Sequence, residues 1–174
     1  MRLLDENGLT EEEFLAMYAK KNYPRPYLTA DIVLLSEDES RVLLIRRRGH
    51  PFIGKWALPG GFSKQSEALE ETAIREMREE TGIAKIKPED VREIGVFSKP
   101  GRDPRGWVVT GAYMAKVDPV EMKPAAGDDA VQAVWCEILH DHDGTMKLKT
   151  VNGELFLNEL AFDHGDILAA ALKQ

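Results

Sequence analysis

Cysteine is nearly absent: Cys136 stands alone among 174 residues. An internal disulfide and a thiolate metal cage are therefore excluded, and a lone cysteine inside a predicted strand reads as a small buried apolar residue. Long apolar runs are missing as well. No uninterrupted segment is long enough to span a bilayer, and the amino-terminal MRLLDENGLTEEEF has no basic region leading into an apolar one. The expected compartment is the cytoplasm, with no membrane partner. Positive charge is also scarce, since 23 Lys and Arg face 30 Asp and Glu for a net charge of -7. That balance argues against a broad footprint on a phosphate backbone, so nucleic acid is not an expected partner. No internal repeat, low-complexity tract or linker divides the chain. With 43% hydrophobic residues, it suits one domain, 1–174, with a real core.

What the chain has in abundance is glutamate, concentrated in 60–83, GGFSKQSEALEETAIREMREETGI. The segment predicts two glycines, a short polar loop and a helix. Ser66 is placed to cap the start of that helix, with Glu67, Glu70 and Glu71 in the first turn, where the helix dipole favours anions. Gly82 supplies a left-handed stop. Glu76, Glu79 and Glu80 fall at i, i+3 and i+4, so their carboxylates share one face beside Leu69, Ala73, Ile74 and Met77. Like charges at that spacing repel, and burial raises the penalty. A hard, oxygen-ligating cation such as Mg²⁺ or Mn²⁺ would relieve it. The competing reading is a solvated, salt-bridged helix, since Glu71 and Arg75 also pair at i, i+4.

The rest of the chain supplies a frame. Thr10 and Glu13 form a capping box for a helix over 11–21. YLTADIVLLS (27–36) and 41–45 predict a hairpin, and the loop RRRGHPFIGKW leads to a short strand at 56–58. Further strands are expected at 91–98, 107–117 and 133–139, then a second hairpin around Asp143-Gly144 and Asn152-Gly153. A closing helix over 163–172 would pack Ile167, Leu168 and Ala171. The predicted class is α/β, a mixed central sheet between helices in an α/β/α sandwich.

Read outward, the glutamate segment runs Gly61, five residues, Glu67, seven residues, Arg75-Glu76-Met77, one residue, Glu79-Glu80, one residue, Gly82-Ile83. This spacing over 61–83 resembles the signature of the Nudix hydrolases without a substitution at any fixed position. The resemblance implies the same α/β/α architecture and hydrolysis of a nucleoside diphosphate linked to another moiety. It implies Glu76, Glu79 and Glu80 as metal ligands for Mg²⁺ (or Mn²⁺), Glu67 as an outer orienter and Arg75 as the partner that fixes a glutamate. A carbonyl of Gly60 or Gly61 would add a metal ligand or let the substrate approach closely. The resemblance suggests a distant acidic base at Asp128 or Asp129, although such a loop pair is more often a turn or helix cap; relatives carry a glutamate where this chain has Gln132.

The flanking segments HPFIGKWALPGGF, PGRDPRGWVVTGAY and LAFDHGDIL resemble the ADP-ribose pyrophosphatase branch and its regulatory cousins, which share them. Arg46, Arg102 and Arg105 suit the diphosphate and terminal ribose, and Phe52 and Trp107 could stack on adenine, although a structural role is the commoner one for such residues and Trp107 suits a core. Arg47 and Arg48 are expected to be solvated. Three activities follow as alternatives: ADP-ribose hydrolysis to AMP and ribose 5-phosphate, ligand sensing, or house-cleaning of another nucleotide. The resemblance also suggests a homodimer, with the amino-terminal helix and first hairpin as the contact.

Overall fold

The computed structural model describes residues 3–127 and 129–174. Nine strands form one sheet: β1 (Tyr27–Ser36), β2 (Arg41–Arg47), β3 (Trp56–Ala57), β4 (Gly60–Phe62), β5 (Arg92–Phe97), β6 (Val108–Val117), β7 (Ala130–His140), β8 (Met146–Thr150) and β9 (Gly153–Phe156). Their order is β5-β6-β1-β2-β7-β8-β9, with β3 on β2 and β4 on β1. Only the β1–β6 pair among them is parallel, from Tyr27 opposite Val108 to Ser36 opposite Val117, so the sheet is mixed as expected.

β1 is central, and its two faces alternate as strand geometry requires. Ala30, Ile32 and Leu34 meet Ala73, Ile74 and Met77 of α2 (Leu69–Thr81). Val33 and Leu35 share a core with Ile167, Leu168 and Ala171 of α3 (His164–Ala171). With apolar contacts on both sides, β1 reads as a nearly unbroken hydrophobic run. Asp31 sits in the odd-numbered row that faces α3, a carboxylate in an apolar series, and it is 5% exposed.

Several expectations change. α1 (Glu11–Tyr18) has its Thr10–Glu13 capping box but buries none of its residues, so the sandwich consists of α2, the sheet and α3. Ser66 does not cap α2. The helix begins at Leu69, and Glu71 accepts the N–H of Ala68 at 2.9 Å. Glu67 precedes the helix and is turned to another partner. Gly82 has the left-handed φ of 70° and closes the helix. The hairpin β1–β2 lies in the middle of the sheet with most of its residues buried, leaving Tyr27, Leu28 and the turn residues Glu37, Asp38 and Ser40 exposed.

Candidate active site

The turn between β3 and β4 brings Gly60 and Gly61 under α2. Gly60 pairs with Asp31 in register, and its N–H donates to Glu80 Oε2 at 3.0 Å. Neither glycine has room for a side chain. A Cβ on Gly60 would stand 2.5 Å from the Ala30 carbonyl oxygen, and one on Gly61 would stand 2.6 Å from a Glu76 carboxylate oxygen. Glu80 is 4% exposed, and burial pushes its pKa up to about 8 despite the Gly60 hydrogen bond. Glu76 is also raised, first by burial, against the pull of Arg75.

Arg75 gathers the other carboxylates. Its Nε donates to Glu67 Oε1 at 2.7 Å, and Nη1 donates to Glu76 Oε1 at 2.6 Å and to Glu79 Oε2 at 3.0 Å. Nη2 donates to Glu67 Oε2 and to the Phe62 carbonyl, each at 3.0 Å. These bonds hold Glu67 down at about 2, chiefly through Arg75, and the same carboxylate keeps Arg75 charged. No three acidic, histidine or cysteine groups among the described residues converge into a cage ready for a metal ion. Arg75 occupies the acidic face instead.

The glutamate edge opens onto a cleft of about 190 Å³. Of the residues singled out in the sequence, Gly60, Gly61, Glu76, Glu80, Arg102, Arg105 and Asp129 line it, while Glu67, Arg75 and Glu79 stand beside it. Three do not reach it. Arg46 points elsewhere, its Nε donating to the Gly54 carbonyl at 3.0 Å. Phe52 packs edge-on against Phe162 at 4.8 Å and lines a neighbouring cavity. Trp107 is 56% exposed and borders neither. Asp128 lies outside the described residues.

Sequence reasoning passed over Arg47, Asp103, Phe162, His164 and Asp31, all of which line the cleft. Arg47 is half-buried rather than solvated. Its Nε donates to the Pro51 carbonyl at 2.8 Å, and its guanidinium lies 5.0 Å from the Phe162 ring centre. Burial, followed by the nearby Arg105 charge, lowers its pKa. Strand alternation does not choose between the two arginines, because the β2–β7 register shifts between Arg46 and Arg47. Arg48 is exposed as expected, with its Nη2 donating to the Ala130 carbonyl at 3.0 Å. Arg105 is half-exposed, held by Asp103 at 2.7 Å, and lies 4.6 Å from the Phe62 ring centre and 5.4 Å from that of Phe162. Two guanidinium groups thus lie near one aromatic ring in the cleft that Glu76 and Glu80 also line.

The profile of the NUDIX domain matches residues 26–145, which include the glycine turn, α2 and Asp129. The chain belongs to the NUDIX family. It is 37% identical over 147 residues to an ADP-ribose pyrophosphatase of Methanocaldococcus jannaschii, covering 84% of this chain and 73% of that protein. It is 36% identical over 170 residues to the ADPR responsive transcriptional repressor NtrR of Acinetobacter baylyi, covering 95% of this chain but 60% of the repressor. The crystal structure of a MutT/nudix family protein from Enterococcus faecalis superposes with a TM-score of 0.81 at 39% identity, covering 97% of this chain and 70% of that one. The NUDIX sheet and its helices are therefore shared with a solved relative.

Proposed function

We propose that this NUDIX domain hydrolyses ADP-ribose to AMP and ribose 5-phosphate with Mg²⁺, or Mn²⁺, bound at the glutamates. The observation that carries this reading is the mixed charge of one cleft: the carboxylates of Glu76 and Glu80, beside the glycine turn, and the guanidinium groups of Arg47 and Arg105 all line it. Cations and carboxylates lining one small cleft suit a diphosphate that must be both gripped and brought to a metal. The similarity to an ADP-ribose pyrophosphatase over 84% of the chain supports the choice of substrate.

The donor set fits a hard divalent ion. All of its members are oxygens, and Glu76 and Glu80 are both buried enough to resist ionising without a nearby positive charge. Glu76, Glu79, Glu80 and the Gly60 carbonyl would hold the ion, which would neutralise phosphate charge and acidify a water. Arg47 and Arg105 then fix non-bridging phosphate oxygens. Arg75 and Glu67 set the angle at which Glu76 and Glu79 face the cleft, and Gly61 admits the substrate closely. Asp129 accepts a proton of the attacking water as the water oxygen bonds to one phosphorus, and the bridging P–O bond breaks with its electron pair leaving on the bridging oxygen, which departs with the other phosphate. Incubating the protein with ADP-ribose and Mg²⁺ tests this reading, and failure to find AMP refutes it.

A second reading is sensing, favoured by 36% identity to a repressor across 95% of the chain. The cleft would then bind ADP-ribose without turnover. A net charge of -7 speaks against this domain itself gripping DNA. A gel shift run beside the hydrolysis assay separates the two readings.

The protein is further proposed to be a cytoplasmic homodimer. No helix of the described residues is long and apolar enough to cross a membrane. α1 leaves Phe14, Leu15, Met17 and Tyr18 between 41% and 54% exposed, an apolar surface suited to a second copy. Sedimentation of wild type against Phe14→Glu checks the assembly.

A further inference from the structure

Phe162, Asp163 and His164 are consecutive, and each holds a different part of the cleft. The Phe162 ring lies 5.4 Å from the Arg105 guanidinium and 5.0 Å from that of Arg47. Asp163 takes Arg102 in a two-pronged pair, accepting from Nε at 2.8 Å and from Nη2 at 2.5 Å. His164 accepts the N–H of Leu58 on Nδ1 at 2.8 Å, two residues before Gly60. Its Nε2 lies 3.6 Å from Asp31 Oδ1. Asp31 in turn accepts the Thr110 hydroxyl at 2.7 Å and stands 3.7 Å from Arg102 Nη2.

The set is buried: the side chains of Arg102, Asp31 and His164 are 4%, 7% and 5% exposed. A buried ion pair is a weak device for stability, because removing both charges from water offsets most of their attraction. It is a good device for register, because the planar guanidinium accepts one orientation against a carboxylate. Here it fixes the loop of residues 98–107, which also carries Arg105. Arg102 lines the cleft but is 4% exposed at its side chain and commits Nε and Nη2 to Asp163, so little of it is presented to a phosphate. Arg105, three residues on, is the exposed one.

We propose that Phe162-Asp163-His164 is a positioning unit that registers loop 98–107 against the glycine turn, and that Arg102 acts through Asp163 without touching the substrate. The substrate part of this inference rests on the cleft being a diphosphate site; the positioning part does not. Arg102→Lys keeps the charge and removes the fork, and Asp163→Asn keeps the shape and removes the charge. Hydrogen exchange and ADP-ribose binding in metal-free buffer are measured on the full chain.

Both variants are expected to speed exchange across residues 98–107 while β1 and β6 stay protected, which shows that the fold persists. ADP-ribose affinity should fall about tenfold or more in each. The double variant should be no weaker than the worse single one, since both break the same contact. Unchanged loop exchange in the single variants, or affinity losses that add in the double variant, would overturn the proposal. If the loop loosens as expected but wild type binds no ADP-ribose, the positioning stands and the ADP-ribose reading falls.

Discussion

Gly60 and Glu80 are twenty residues apart in sequence, yet the glycine N–H donates to the Glu80 carboxylate at 3.0 Å. That bond places a buried acid against the floor of the cleft, and its consequences can be measured.

Glu80 titrates at about 8 in the folded protein, against an ordinary value of 4.5. Between these values the folded state holds a proton that the unfolded chain has released. In metal-free protein, the resulting loss of stability grows as pH rises from 4.5 to 8 and is complete above 8. Glu80→Gln should therefore stabilise the metal-free protein at pH 8, by on the order of a few kcal/mol, while abolishing turnover. Denaturant melts at pH 5 and pH 8 check the sign. If a cation displaces that proton, its apparent affinity should rise about tenfold per pH unit below 8.

Gly61 faces the Glu76 carboxylate with no room for a methyl group. Gly61→Ala should cost about 1–3 kcal/mol of stability and at least about tenfold in turnover, as Glu76 is pushed from its place. Wild-type turnover in this variant would remove the glycine turn from the site.

Arg46 and Arg47 are adjacent, but only Arg47 lines the cleft. Arg47→Ala should raise KM for ADP-ribose by about tenfold to a hundredfold. Arg46→Ala, which loses a bond to the Gly54 carbonyl, should stay within about twofold. Equal effects would contradict the assignment of faces.

This pair also marks the limit of what the sequence discloses. The glutamates on α2 were legible because helical spacing is a local property. The strands were legible for the same reason: β1, β6 and β7 show their patterns over ten or eleven residues. Choosing between Arg46 and Arg47 needed the register of β2 in the finished sheet. The roles of Asp31 and His164 needed more still, since His164 meets Leu58 across 106 residues and Thr110 meets Asp31 across 79. No local pattern records such meetings. Ser66 failed as a cap for a local reason: Glu71 reached back to Ala68 and Arg75 drew Glu67 away, so the helix began later.

Arg75 donates to three glutamates at once. Arg75→Gln should release Glu67, letting its pKa return upward from about 2, and cost about tenfold to a hundredfold in activity, as the loss of a group that orients ligands does. Carboxyl NMR titration reads the first effect and steady-state kinetics the second.

The central claim is a diphosphate hydrolase built on the glutamates of α2, with Glu80 buried among them. Its most direct test is to incubate wild type and Glu80→Gln with ADP-ribose and Mg²⁺ and quantify AMP. The account predicts AMP and ribose 5-phosphate in equal amounts from wild type and none from the folded variant; no AMP from wild type, or equal AMP from both, would contradict it.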